Sequence, residues 1–237
     1  MIMLVLAGGF GTRLSSAVSD VPKAMAPING VPLLKLQLDN WIMQGQSDFV
    51  FLLHHRASLI IDFLEKLIPL LDREINIQWI VEKSPLGTGG SIANAIFELN
   101  LRENVLIANA DTWLDCGIQA LSEANFAQIG VVKVKDTSRY GLVEFDYKGN
   151  VTEFSEKKAT LKSNLEGIIN AGIYKLPASV LRKYKGQIFS LENDVLPVLA
   201  HKGLLHAVTL KSSFFDIGVP IDYYQFCDWH KISKKEG

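Results

Sequence analysis

Ile2-Met-Leu-Val-Leu6 runs straight into Ala7-Gly8-Gly9-Phe10-Gly11-Thr12-Arg13, and Val21-Pro-Lys-Ala-Met25 follows a short way downstream. The apolar run predicts a buried strand over Met3–Leu6 that feeds a glycine loop with a guanidinium at its exit. Gly8, Gly9 and Gly11 let backbone N–H groups approach oxyanions with no Cβ in the way, and Thr12 adds a hydroxyl donor. Arg13 and Lys23 bring positive charge from two points of one segment, enough to grip separate phosphates of a nucleotide. Two familiar phosphate loops do not fit. No Gly-Lys-Ser/Thr closes the run as a Walker A motif requires, and Leu14 stands where a dinucleotide fingerprint needs its third glycine. The plain alternative is a glycine-rich strand-to-helix turn, against which the combination of glycines, Arg13 and Lys23 favours phosphate.

Leu6-Ala-Gly-Gly-Phe-Gly-Thr-Arg-Leu14 followed by Val21-Pro-Lys-Ala-Met25 resembles the signature of the sugar-1-phosphate nucleotidylyltransferases, or nucleotide-sugar pyrophosphorylases. The resemblance implies an enzyme that joins a nucleoside triphosphate to a sugar 1-phosphate, giving a nucleotide sugar and pyrophosphate. It extends nearly end to end, because later segments match further family motifs in order. The chain stops where some members add a repetitive β-helical domain, so an acetyltransfer domain is not expected.

Composition narrows the partners. A chain of 237 residues with 48% apolar content can build one large α/β domain or two small ones. A net charge of -1 gives no electrostatic case for nucleic acid or an anionic membrane, so phosphate-binding charge must be local. Cys116 and Cys227 are far apart, with neither a disulfide framework nor metal spacing, and read as reduced thiols of a cytoplasmic protein. No apolar run reaches the length of a membrane span, and the start lacks a basic leader.

The first half alternates short apolar runs with amphipathic stretches, the pattern of βαβ units and a parallel sheet. Strands are predicted at Phe49–Leu53, Ile75–Val81 and Val105–Ala108, with helices over 33–44, 58–71 (ending near Pro69) and 87–99. Beyond Asp111, short strands at Ile129–Val134, Leu142–Phe145 and Val151–Glu153 suggest an antiparallel insertion, with Lys148-Gly149-Asn150 as a turn. A strand over Ile168–Tyr174, helices over 178–184 and 191–201, a strand over Leu204–Leu210 and a helix from Pro220 to His230 complete the expectation. The polar tail from Lys231 is expected to fray.

Asn109-Ala110-Asp111-Thr112 places a carboxylate at the carboxyl end of a central strand, where open α/β sheets bind ligands. Magnesium takes hard oxygen ligands and fills its shell from nucleotide phosphates. By resemblance, Asp111 and Asp216, the latter in Phe214-Phe-Asp-Ile-Gly218, are the metal-binding aspartates, for one ion or two. Asp111 as a helix cap stays open, with Asp115 the better cap. The five histidines have no paired-ligand spacing for zinc.

Glu82-Lys-Ser-Pro-Leu-Gly-Thr88 follows a strand and opens a helix, and its Pro-Leu-Gly-Thr segment is similar to that of guanylyltransferases acting on mannose and heptose phosphates. Guanine offers two adjacent donors that one carboxylate accepts, whereas uracil and thymine offer one. Glu82 is therefore the candidate base reader, with a solvated strand-end glutamate as the alternative. The nucleotide site expected is Leu6, Ala7, Gly8, Gly9, Gly11, Thr12, Arg13, Lys23, Glu82, Gly87 and Thr88. By resemblance, Tyr140, Gly141, Glu156, Lys157 and Asn170 form the sugar-phosphate site, with Lys157 on the acceptor phosphate; Lys158 could take its place, and either could be a solvated lysine. Ser190-Leu-Glu-Asn-Asp194 resembles heptose-1-phosphate guanylyltransferases and also reads as a helix start.

The expectation is one α/β domain over 1–237. A mixed, mainly parallel central sheet is flanked by helices and carries a small antiparallel sugar-binding insertion, the nucleotide-diphospho-sugar transferase fold. A nucleotide half over about 1–112 precedes a sugar-phosphate half over about 113–230. Arg13, Lys23 and Lys157 are the expected catalytic residues and Mg2+ the cofactor, with GTP and a heptose or mannose 1-phosphate as substrates. UTP, CTP or dTTP with another hexose phosphate, or a non-catalytic nucleotide-sugar-binding subunit, are the alternatives. Homo-oligomerisation is left open.

Overall fold

A computed structural model of the chain describes residues 1–122, 126–156 and 165–236, with side chains over 1–121, 126–156 and 165–233. Met3-Leu-Val-Leu6 forms β1 (Met3–Leu6), whose residues Met3 to Val5 are wholly buried. The loop beyond it ends in the ribbon β2 (Pro27–Ile28) and β3 (Val31–Pro32), then α1 (Leu33–Met43). Two repeats of strand and helix follow: β4 (Asp48–Leu53), α2 (Ala57–Leu67), β5 (Asn76–Val81) and α3 (Gly87–Glu98). The chain returns through β6 (Asn104–Asn109), β7 (Thr112–Leu114) and α4 (Ile118–Ser122). The remainder runs β8 (Ala127–Val134), β9 (Leu142–Phe145), β10 (Val151–Ser155), β11 (Gly167–Pro177), α5 (Ala178–Arg182), α6 (Leu196–His201), β12 (Leu205–Thr209), β13 (Phe214–Asp216) and α7 (Pro220–Glu236).

Among the described residues, a nine-stranded sheet has the path β10-β9-β11-β6-β1-β4-β5, with β8 and β12 joined through β11. β5, β4, β1 and β6 are mutually parallel. Alternate residues of β4 divide between two cores. Phe49, Phe51 and Leu53 pack with Leu34, Leu38 and Trp41 of α1 and Ile60 and Leu64 of α2. Val50 and Leu52 pack with Ile92 and Ile96 of α3 and with Leu196 and Leu199 of α6. Both faces are buried, which is why these strands read as continuous apolar runs.

β11 is antiparallel to everything it touches. Its first half meets β9 and its second half β6, with β8 along the opposite edge. The break between the halves falls at Gly172, whose φ of +70° suits glycine and whose missing Cβ lets Asn109 of β6 approach. The expected hairpin of β9 and β10 is present.

Four expectations need correction. The helix placed over 191–201 is a π-helical segment, Leu191–Val195, followed by α6. Leu196 N–H reaches back to the Leu191 carbonyl, and Pro197 brings no amide proton to tighten the next turn. The tail from Lys231 continues α7 to Glu236. The helix ending near Pro69 stops at Leu67 and hands over to a 3-10 turn, Ile68–Leu70. Asp115 caps no helix: it accepts from Ser212 Oγ and Ser213 N–H, while the first amide of α4, at Ile118, donates to Gln44. None of the described helices is long and apolar enough to cross a membrane.

Candidate active site

β1, β4 and β5 step outward in one direction and β6 lies on the other side of β1, so the direction of winding reverses between β1 and β6. Loops leave that point to opposite faces and open a crevice at the carboxyl ends. Leu6 of β1, His54 after β4, Glu82 after β5 and Asn109 of β6 all line it, with Gly8, Gly9, Leu86, Gly87 and Thr88. The glycine loop walls the adjoining cleft with Ala7, Gly9, Gly11, Thr12, Arg13 and Lys23, and Asp111 and Gly218 face it. A third cleft holds Arg13, Asp111, Tyr140, Gly141, Glu156, Asn170 and Asp216. Asp111 is common to all three.

Opposite charges meet at that point. Lys23 Nζ donates to Asp111 Oδ2 at 2.5 Å, with the lysine side chain only 13% exposed. Asp216 arrives by a route invisible in the local pattern. β13 pairs antiparallel with β7, setting Asp216 opposite Thr112, and Ile217 N–H donates to the Asp111 carbonyl. β7 is held in turn by α1, whose Gln37 and Asn40 amides donate to the Thr112 and Leu114 carbonyls. Gly218 leaves room for the meeting, since a Cβ there would lie 2.7 Å from Asp216 Oδ1 and 3.0 Å from Lys23 Nζ. Burial raises the Asp216 carboxyl above the ordinary carboxylate range, the Asp111 charge raises it further, and Lys23, Arg13 and Arg139 pull the other way. Two hard carboxylates that repel each other beside a phosphate-shaped loop suit a divalent cation that completes its shell from phosphates. Among the described residues no third acidic, histidine or cysteine ligand joins them.

The third cleft has a different chemistry. Arg139 Nη2 donates to Asp222 Oδ2 at 2.5 Å and to the Tyr140 hydroxyl at 2.8 Å. Burial is the largest single influence and works against the guanidinium charge, but the bond to Asp222 together with the charges of Tyr140, Asp222 and Asp216 outweighs it and holds Arg139 above its usual value. Burial pushes the Tyr140 phenol up to about 12, so it remains a neutral hydroxyl. Gly141 makes room for Glu156, whose Oε2 a Cβ would approach to 2.7 Å. Asn170 donates to the Tyr174 hydroxyl at 2.7 Å and accepts from Gly172 N–H at 2.9 Å. Such closely spaced donors and acceptors match a polyol.

Of the nucleotide residues expected from sequence, each lines one of the first two clefts. Besides Lys23, two carry an internal side-chain bond that the sequence did not suggest. Glu82 Oε2 accepts from Leu86 N–H, and the Thr88 hydroxyl donates to Glu192. Tyr140, Gly141, Glu156 and Asn170 come together in the third cleft. Lys157, and Lys158 beside it, lie outside the described residues. Three contributors were not anticipated. Arg139 and Tyr174 line the third cleft, and His54 lines the crevice at the strand ends with Nδ1 3.0 Å from the Glu82 carbonyl oxygen. Arg139 stood next to a chosen residue; nothing local marked the other two.

The sequence matches the nucleotidyl transferase family over residues 2–229. It is 33% identical over 229 residues to D-glycero-alpha-D-manno-heptose 1-phosphate guanylyltransferase of Campylobacter jejuni, covering 95% of this chain and 98% of that protein. It is 31% identical over 233 residues to mannose-1-phosphate guanyltransferase of Schizosaccharomyces pombe, covering 94% of this chain but only 62% of that longer protein. Among solved structures, HddC from Yersinia pseudotuberculosis complexed with GMP-PN superposes with a TM-score of 0.81 at 33% identity, over 97% of this chain and 99% of that one. A UDP-glucose pyrophosphorylase complexed with UDP-glucose reaches a TM-score of 0.80 at 18% identity, over 98% of both chains, which shows a shared fold alone.

Proposed function

Since this chain belongs to the nucleotidyl transferase family, we propose that it transfers a nucleotidyl group, GMP by preference, from a nucleoside triphosphate to a sugar 1-phosphate, releasing pyrophosphate. A heptose or mannose 1-phosphate is the favoured acceptor, in keeping with the proteins it resembles. One observation carries the reading: the phosphate loop, the base cleft and the polyol-like cleft open onto a single carboxylate, Asp111. Such a meeting point puts the α-phosphate of a nucleotide within reach of a second phosphate. The whole chain works as one cytoplasmic domain, the first half holding the nucleotide and the second the sugar phosphate.

The acceptor is a phosphate anion at neutral pH and needs no general base. Its oxygen attacks the α-phosphorus in line, and the barrier is mostly repulsion between anions and poor alignment. The chain's task is therefore placement and neutralisation. Arg13, exposed at the loop exit, meets the departing pyrophosphate. Lys23 exchanges Asp111 for the α-phosphate when nucleotide arrives, since an ammonium is a mobile point charge. Asp111 and Asp216 would hold Mg2+, which when bound supplies positive charge against the phosphate oxygens. Lys157, by resemblance, holds the acceptor phosphate, while Glu156 and Asn170 take the sugar hydroxyls. The amides of Gly8 and Gly9 line the way to the base. The Leu86 amide fixes the Glu82 carboxylate for guanine, because a pre-oriented acceptor loses less on binding.

Pyrophosphate release measured over four nucleoside triphosphates crossed with a panel of sugar 1-phosphates tests this directly. Turnover is expected with GTP and a heptose or mannose 1-phosphate. Binding without turnover for every pair would move the protein to the non-catalytic alternative.

A further inference from the structure

Thr88 belongs to both the base cleft and the sugar-like cleft. It sits on the first turn of α3, and its hydroxyl proton is committed. The single hydrogen goes to Glu192 Oε2 at 2.5 Å, and the oxygen accepts from Leu191 N–H at 2.9 Å. Thr88 therefore has no proton left for a nucleotide. Glu192 Oε2 also accepts from Ser190 Oγ at 2.9 Å, while the buried Tyr174 hydroxyl lies 3.5 Å from Oε1. Tyr174 continues to Asn170 at 2.7 Å, so a chain of polar contacts runs from the base cleft to the sugar residues.

The backbone around it is latched into one body. Gly89 and Gly90 N–H both reach the Phe189 carbonyl, and Phe189 N–H donates to the Leu86 carbonyl. A Cβ at Gly87 would lie 2.4 Å from the Phe189 oxygen, and one at Gly89 2.2 Å from its ring, so the two segments touch with no slack. A ligand that shifts or steadies the Gly87–Thr88 turn must carry residues 187–192 with it. Glu192 reaches Thr88 from within the π-helical turn at Leu191–Val195.

Resting on the reading of the site given above, we infer that Glu192 is a positioning residue that couples the two substrates: nucleotide in the base cleft, acting through Thr88, sets Glu192 and with it Tyr174 and Asn170 for the sugar phosphate. Reciprocity follows, so sugar phosphate should tighten nucleotide binding by the same factor.

The test is a binding cycle by calorimetry on the full chain. D-glycero-α-D-manno-heptose 1-phosphate is titrated with and without a GTP analogue whose α–β bridge resists cleavage. In wild type the analogue should tighten sugar-phosphate binding about fivefold or more, a typical coupling. Glu192→Gln and Thr88→Val should each bring that ratio to within about twofold of one, and Thr88→Ser, which keeps the hydroxyl, should preserve it. A merely structural pin would shift both affinities and leave the ratio intact. Coupling that survives in both Glu192→Gln and Thr88→Val overturns the inference. So does a wild-type ratio of one in a protein that still releases pyrophosphate, an outcome that spares the proposed reaction. A wild type that binds neither ligand overturns both.

Discussion

Asp216 shows how function and stability oppose each other at a single side chain. Burial and the neighbouring Asp111 raise its carboxyl, so the folded protein holds a proton that the unfolded chain releases. Stability is then lost as pH rises from the ordinary carboxylate value of about 3.9 up through the raised one. At neutral pH the ionised Asp216 is a cost, one that the proposed metal-holding role would require. Asp216→Asn should raise Tm at pH 7 in metal-free buffer, with the gain fading below about pH 4, and lower kcat on the order of a hundredfold or more. Scanning calorimetry at both pH values, beside a pyrophosphate assay, checks the opposed signs. A fall in Tm at pH 7 would remove the repulsion argument. Arg13 is the contrasting case, because it is exposed and anchors no part of the core. Arg13→Ala should lower kcat about a hundredfold or more, as loss of one preorganised donor does, with Tm unchanged. Wild-type turnover in that variant would take Arg13 out of the mechanism.

Among elements, the ones that build the site are short and distant in sequence. β1 and its loop were legible because strand, glycines, Arg13 and Lys23 are contiguous and each obeys a local rule. The parallel strands were legible for the same reason, since burial on both faces writes itself as an apolar run. The pairing of β7 with β13 was not legible. Three-residue strands carry no periodicity, and the register that sets Asp216 beside Asp111 is decided by α1 amides and by the small core of Trp113, Ile217 and Phe226. The Thr88–Glu192 bond was hidden too, because helical periodicity over 191–201 conceals a π turn. The junction between α3 and the π turn makes its own prediction. Gly87 has a φ of +75° and no room for a Cβ, so Gly87→Ala should cost on the order of 3 kcal/mol, part left-handed strain and part clash. Urea denaturation measures it; a loss under about 1 kcal/mol would show that the junction yields.

At the scale of the molecule, a sheet that reverses its winding between β1 and β6 places four strand ends around one cleft, and the antiparallel β11 brings the polyol-like cleft up beside them. On the proposed reading nucleotide choice is a property of that whole crevice, with Glu82 as the charged wall at its β5 end and Asp111 beyond β6. A carboxylate facing guanine pairs with two donors, whereas facing uracil it finds only the single ring N–H and its second oxygen meets a carbonyl oxygen. Glu82→Gln should therefore reduce the GTP:UTP ratio of kcat/KM about tenfold or more, the scale of one lost charged hydrogen bond. An unchanged ratio would show that Glu82 does not read the base, while leaving the reaction class standing. The reaction itself is tested most directly by following one atom. The protein is incubated with GTP labelled at the α-phosphorus, Mg2+ and D-glycero-α-D-manno-heptose 1-phosphate or mannose 1-phosphate, and the products are separated by mass. The label should appear in a GDP-sugar, with unlabelled pyrophosphate released in equal amount. Label that remains in GTP with every sugar phosphate, or leaves as free GMP or GDP, would contradict nucleotidyl transfer.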